Sequence, residues 1–340
     1  MRLTNVLYVT EYRAKIGVSR GSIIVRGGRD TTKVPIEALE AVVLFGGQIS
    51  SEALTLCVAK GVRVSALRKS GRVRFTVGGP TNGNVLLRVA QARAAGDRCQ
   101  SAGIARNIVA AKLESYRRLL LRWAWDASPG DRAQLRASAE TIGNRVHNLV
   151  GTTSGDHIRG IEGDGTRLYF SGLRAVLASI GDPAILFPIR SRRPPRDPAN
   201  ALMSFLYGLA LTETTGALDA IGLDPQIGFL HELRPGRPSL GLDLLEELRP
   251  VQDRLAVRLL RRREIRVEHF VTMANGAWYL SDDGRLRVLE AHERFQNENL
   301  NHMLLDRRID RWTLPTLQAT LLARHLRGDL GEYPSFVQVG

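Results

Sequence analysis

Over residues 1–80 the apolar positions come in short runs. Leu7-Tyr8-Val9, Lys15-Ile16-Gly17-Val18 and Ser22-Ile23-Ile24-Val25 are rich in β-branched residues, and turn-formers such as Gly27-Gly28 separate them. Short runs of this kind predict strands. Ala41-Val42-Val43-Leu44-Phe45 is apolar throughout and stops at Gly46-Gly47, as expected of a strand buried on both faces. Ser50 to Lys60 reads as a short helix capped by Ser51, with Leu54, Cys57 and Val58 on one face. Val62 to Leu67 and Val73 to Val77 are two more strands, joined by a turn at Lys69-Ser70-Gly71.

The period changes after Gly78-Gly79-Pro80-Thr81-Asn82-Gly83-Asn84, a dense cluster of turn residues. A helical stretch begins at Leu86, Leu87, Val89 and Ala90, and helical spacing dominates to about residue 330. Ile104–Trp125, Arg132–Val150, Pro198–Ala220 and Leu242–Glu264 are predicted helices. The expected fold class is α+β. A small N-terminal β-rich domain (1–80) and a linker (81–100) precede a larger all-α domain (101–340). Arg190 to Pro198 is rich in Arg and Pro and predicts a loop. No internal repeat is visible.

Charge changes the picture. The chain carries +14, with 48 basic residues. Only Lys15, Lys33, Lys60, Lys69 and Lys112 among them are lysines. Arginine offers a rigid donor fork that suits phosphate. A charge of this size calls for an anionic partner, nucleic acid before an anionic membrane. Aromatic residues make up 6% of the chain, too few for base stacking to be the main contact. Two cysteines without metal-ligand spacing point to a reducing compartment. The first residues lack the apolar core of a signal peptide, and no apolar run reaches membrane-spanning length. No membrane partner is expected, and the location expected is cytoplasmic.

Three segments carry candidate chemistry. In Arg159-Gly160-Ile161-Glu162-Gly163-Asp164-Gly165-Thr166-Arg167 three glycines fall close together. Glycine is costly in a helix, by about 1 kcal/mol each relative to alanine. Glu162 is therefore either a solvated loop residue or part of a backbone that something must approach. His231 ends the run Ile227-Gly228-Phe229-Leu230. In Arg237 to Pro250, Ser239 is the expected cap, and Leu240, Leu244 and Leu248 face the core. Asp243 and Glu246 are three apart and share a helix face. Two carboxylates on one face repel unless a cation sits between them. Carboxylates with one imidazole suit Mg²⁺ or Mn²⁺ better than zinc. Arg254, Arg258 and Arg262 repeat every four residues and form a basic stripe. Arg159 and Arg167 flank Glu162.

These segments resemble a known family. "GFLHE…GRPSLGLDLLEELRP" is similar to the signature of CRISPR-associated protein 1, the integrase of CRISPR adaptation. "RGIEGDGTRLYF" resembles that family's glutamate motif, and "RRPPRDPANALMSFLYGLALTE" the helix between the two motifs. The resemblance implies metal ligands at Glu162, His231 and Glu246, with Asp243 a supporting acid and Tyr207 near the site. This chain has Glu246 where many relatives carry the shorter Asp. The resemblance also implies a homodimer, formed through the β domain, that acts on DNA with CRISPR-associated protein 2. The form of the signature further suggests a nuclease resembling CRISPR-associated protein 4. The expected reaction is attack of a 3′-hydroxyl on a phosphodiester. The alternatives are a metal-dependent nuclease on branched or single-stranded DNA and a non-catalytic DNA-binding protein.

Overall fold

The computed structural model describes residues 6–27, 30–79, 85–183, 185, 187–191 and 194–338. The strands come first: β1 (Val6–Val9), β2 (Lys15–Ser19), β3 (Ser22–Gly27), β4 (Asp30–Pro35), β5 (Ala41–Leu44) and β6 (Gln48–Ile49). Helix α1 (Ser51–Ala59), β7 (Arg63–Leu67) and β8 (Val73–Val77) follow. One sheet has the order β1-β5-β7-β8, parallel except at β8. The other has the order β4-β3-β2-β6.

Strand β5 shows why this stretch is apolar without alternation. Val42 and Leu44 enter a core shared with Ile16, Ile23 and Cys57. Val43 and the following Phe45 enter the core of the helices. Successive side chains of a strand point to opposite faces, so a strand between two cores needs apolar residues at every position. Strand β4 is absent from the sequence-based expectation. Its side chains are exposed apart from Val34, which is half-buried. Among the described residues it pairs only with β3, at the edge of its sheet, where burial imposes no apolar pattern. The cap of α1 is Ser50 rather than Ser51: the Ser50 hydroxyl accepts from the Ala53 N–H.

The helices are α2 (Val85–Gly96), α3 (Arg98–Trp125), α4 (Pro129–His147), α5 (Gly155–Ala178), α6 (Pro198–Ile221) and α7 (Ser239–Arg261). Strands β9 (Phe270–Thr272) and β10 (Trp278–Leu280) precede α8 (Asp282–Gln296). Strands β11 (Asn299–His302) and β12 (Arg307–Asp310) precede α9 (Leu314–Leu326). The C-terminal part is thus helical but not all-α. It holds two antiparallel hairpins, β9–β10 and β11–β12, each too short to show a sequence period. The segment 81–100, expected as a linker, contains α2 and the first turn of α3. Pro80 to Asn84, Gly28, Arg192 and Arg193 lie outside the described residues, and so therefore does most of the expected break at 78–84. The described residues of the Arg/Pro-rich stretch before Pro198 form neither helix nor strand.

The glycine-rich segment is no loop. It lies inside α5, and packing explains part of its composition. A Cβ on Gly165 would stand 2.5 Å from the Leu113 side chain, and one on Gly172 would stand 2.6 Å from Leu120. Both leucines belong to α3. Glycine at these two positions, two turns apart, lets α3 and α5 approach closely. Tyr116 and Tyr169 stack across the same seam. The sheet docks on α6 in a similar way. Arg63 of β7 donates to Asp219 at 2.9 Å and to the Gly216 carbonyl at 3.0 Å. Gly208 of α6 lies against the turn at Gly71.

A Cβ at Gly208 would meet the Gly71 carbonyl oxygen at 2.5 Å, and a backbone atom cannot turn aside. Gly208→Ala is expected to cost about 1–3 kcal/mol through overpacking. Gly163→Ala, which meets nothing within 4 Å, should be neutral or gain up to about 1 kcal/mol from helix propensity. Calorimetric melting checks this, and equal melting temperatures for the two variants would contradict it.

Candidate functional site

Helix α7 brings an unusual row of acids into the interior. Asp243, Glu247 and Asp253 are fully buried, and Glu246 is 4% exposed. Burying a carboxylate is costly unless it is paired, so each acid's partners define its role.

Asp243 organises the loop that carries His231. Its carboxylate accepts the backbone N–H groups of Phe229 (2.6 Å), Leu230 (3.0 Å) and His231 (3.0 Å). It also meets His231 Nδ1 at 2.7 Å. Gly228 makes this wrap possible, since a Cβ there would stand 2.8 Å from Asp243 Oδ2. The loop is braced from behind. Gln91 of α2 donates to the carbonyls of Asp224 and Ile227 and accepts from the Asp224 N–H. Ser101 of α3 donates to the Phe229 carbonyl. Ser239 does not cap α7. It is the helix's first residue, and its hydroxyl donates to the Glu232 carbonyl at 2.8 Å. This bond ties the loop to the helix.

Because the Asp243 carboxylate only accepts, His231 Nδ1 carries a proton, and Nε2 is the ring nitrogen turned toward Glu246. Nε2 lies 3.8 Å from Glu246 Oε1. Glu162 comes from α5 and accepts at 2.9 Å from Thr166, one turn further on. Between Glu162 and Glu246 stands the ammonium of Lys112. It contacts Glu162 Oε1 and lies 2.5 Å from Glu246 Oε2. Arg249 forms an ion pair with Glu246 Oε1 at 3.0 Å and covers the Tyr207 ring. Burial alone would raise the Glu246 pKa, but the charges of Arg249 and Lys112 hold it well below the usual carboxylate range. Glu246 is therefore ionised. Pro250 has no N–H to offer the Glu246 carbonyl, its partner one helical turn back.

The sequence-predicted residues thus separate. Glu162, His231 and Glu246 are brought together from three segments, and Asp243 fixes the histidine. Tyr207 is buried and donates to Asp253. Burial raises the Asp253 carboxyl to about 6. Lys112 and Arg249 were not anticipated as site residues. Lys112 had one sequence signal, a lysine in an apolar stretch of a chain that otherwise prefers arginine. The basic stripe on α7 is not a free surface. Arg254 is half-buried, and Arg258 binds Glu298 at 2.6 Å and covers the Phe295 ring. Of the three, Arg262 is exposed. The four-residue spacing was right, but it placed Arg258 against the end of α8 and the segment after it. Arg159 donates to the Leu230 carbonyl and pairs with Asp156. Arg167 is exposed and pairs with Asp164.

Among the described residues no three histidine, cysteine or carboxylate side chains gather as a ready cage. The donors are nonetheless of the right kind: two carboxylates and an imidazole lone pair that would repel each other without a cation among them. They are of a kind that fits a hard divalent ion, and the Lys112 ammonium lies between the two carboxylates. Glu162 is 26% exposed and His231 22% at the side chain, so the cluster is open on that side.

Residues 7–294 match the family described as CRISPR associated protein Cas1. The chain is 40% identical over 341 residues to the CRISPR-associated endonuclease Cas1 2 of Rhodospirillum rubrum, covering 98% of both. Its fold is similar to that of a casposase bound to integration product, with a TM-score of 0.83 and 20% identity over 97% of this chain and 93% of that one. It is also similar to a chain of a Cas6-RT-Cas1–Cas2 complex, with a TM-score of 0.82 and 21% identity over 98% of this chain and 36% of that one.

The Asp243 geometry makes a prediction of its own. Asp243→Asn turns an amide N–H₂ toward backbone N–H groups, leaving at least one buried donor unpaired at a cost of about 1–3 kcal/mol. Its melting temperature should fall by several degrees, and that of Glu162→Gln by less. Nitrogen-15 NMR of wild-type His231 should show the Nδ1–H tautomer, and finding Nε2–H would contradict this account.

Proposed function

The chain belongs to the CRISPR-associated Cas1 family, and on that premise we propose that it is a divalent-metal-dependent DNA integrase. It joins the 3′-hydroxyl of a short DNA to a phosphodiester in a CRISPR array. The observation that carries this reading is the convergence of Glu162, the His231 Nε2 lone pair and Glu246 at a solvent-reachable point of a chain carrying +14. Mg²⁺ or Mn²⁺ held there would polarise a phosphate and lower the pKa of the attacking hydroxyl.

The chain's own residues do the rest. Asp243 orients His231. Arg249 keeps Glu246 ionised from the inner side. Arg159 and Arg167, which flank Glu162 along α5, are suited to phosphate, as is Arg262 at the end of α7. Arg254 and Arg258, half-buried on α7 with Arg258 paired to Glu298, are the less exposed members of the same expected DNA surface. No nucleophilic side chain is required. Residues 1–80 supply the dimer contact, with exposed sheet edges as the surface that needs cover. The family resemblance adds CRISPR-associated protein 2 as a partner and a nuclease resembling CRISPR-associated protein 4 as a further one. The relative from Rhodospirillum rubrum is named an endonuclease, which favours as second reading the same site with water as nucleophile on branched or single-stranded DNA.

Strand transfer into supercoiled DNA, followed with and without EDTA, separates the readings. Wild type should yield joined product only with the metal. Glu162→Gln and His231→Ala should each lose at least about 10²–10³-fold, as for loss of a charge-stabilising group, while retaining DNA binding. Activity within tenfold of wild type at saturating Mn²⁺ would contradict the assignment. Cleaved but unjoined DNA would favour the nuclease.

A further inference from the structure

Lys112 is a costly residue for its position. It lies on α3 at 2% exposure, between Ile108, Val109, Leu113 and Tyr116 of the same core. An unpaired ammonium there would cost several kcal/mol. Its partners come from two other helices, Glu162 of α5 and Glu246 of α7. Lys112 therefore joins three helices at one point. With Arg249 on the inner side of Glu246, two cations, Lys112 and Arg249, face the two carboxylates Glu162 and Glu246. A divalent cation entering as a third positive partner would meet repulsion from the ammonium already on both carboxylates.

The side chain type matters. A lysine ammonium is a point charge on a flexible four-carbon stem, unlike the rigid arginine fork that predominates elsewhere in the chain. The face of the Tyr116 ring, 5.5 Å from Nζ, offers the ammonium a second resting place through a cation–π contact.

We propose that Lys112 is a built-in counter-ion that holds Glu162 and Glu246 together in the metal-free protein and is displaced from them when a divalent cation binds. It is a positioning residue that sets the threshold for metal loading. The inference rests on the assignment of Glu162, His231 and Glu246 as ligands. Metal affinity is lowered by the fraction of molecules in which the ammonium sits on the carboxylates. Removing the ammonium raises that affinity while weakening the metal-free protein.

The test uses the full-length protein, stripped with EDTA, and Mn²⁺ titrations read by electron paramagnetic resonance beside thermal melting. Lys112→Met should bind Mn²⁺ at least about tenfold more tightly than wild type. It should melt lower without metal and gain more from saturating Mn²⁺. Lys112→Gln, which keeps a neutral donor for the carboxylates, should show the same tightening with a smaller loss of stability. A lysine serving structure alone would lower the melting temperature and leave Mn²⁺ affinity unchanged or weaker, and that result overturns the proposal. Failure of both variants to fold even with Mn²⁺ also overturns it, because the ion would then not replace the ammonium. Glu246→Gln separates the two levels of the argument. If wild-type Mn²⁺ binding does not depend on Glu246, the ligand assignment falls and the proposal with it. If binding depends on Glu246 but not on Lys112, the proposal alone falls.

Discussion

Helix α7 buries four carboxylates, and the need to compensate each of them organises the molecule around it. Asp243 gathers the backbone of the His231 loop. Glu246 gathers Lys112 of α3 and Arg249. Glu247 gathers the C-terminal segment, accepting from Tyr333, Gln318 and the Phe336 N–H. Asp253 takes the Tyr207 hydroxyl of α6. Uncompensated, each would cost several kcal/mol, comparable with the net stability of a whole domain. Neighbouring acids thus serve different ends: Glu246 faces the opening and Glu247 faces the chain's own tail.

The same constraint explains what the amino-acid pattern could and could not reveal. Strand β5 and the leucines of α7 were legible because burial imposes a period. The motif glutamates and His231 stood out through the resemblance to the family's motifs, since residue type and spacing alone left each open to a solvated or core reading. The edge strand β4 and the two C-terminal hairpins were not, because exposed or very short elements impose no period. Glycines 160, 163 and 165 suggested a loop because helix propensity is a local quantity, whereas Gly165 answers to Leu113 on another helix. Lys112 was hidden for a similar reason. Its meaning lies in two carboxylates that are far away in the chain. The spacing of Arg254 and Arg258 was read correctly as one face, but spacing cannot tell a solvent face from one covered by Glu298 and Phe295.

Fold and site are therefore one design. The close approach of α3 and α5 at Gly165 brings Lys112 and Glu162 together, and α7 adds Glu246. The Asp243 loop then turns His231 toward the same point. Helix α2 contributes to the site by holding the loop through Gln91, even though its stretch reads as a connector. The Lys112 ammonium contacts both Glu162 and Glu246 and so offsets the mutual repulsion of the two carboxylates.

The most direct test of this account is anomalous diffraction from crystals grown with Mn²⁺. The account predicts one manganese peak at ligand distance, about 2.1 Å as for hard cations with oxygen donors, from Glu162, His231 Nε2 and Glu246, with the Lys112 ammonium withdrawn from both carboxylates. A peak elsewhere, or none at saturating Mn²⁺ with Lys112 still bridging Glu162 and Glu246, would contradict it.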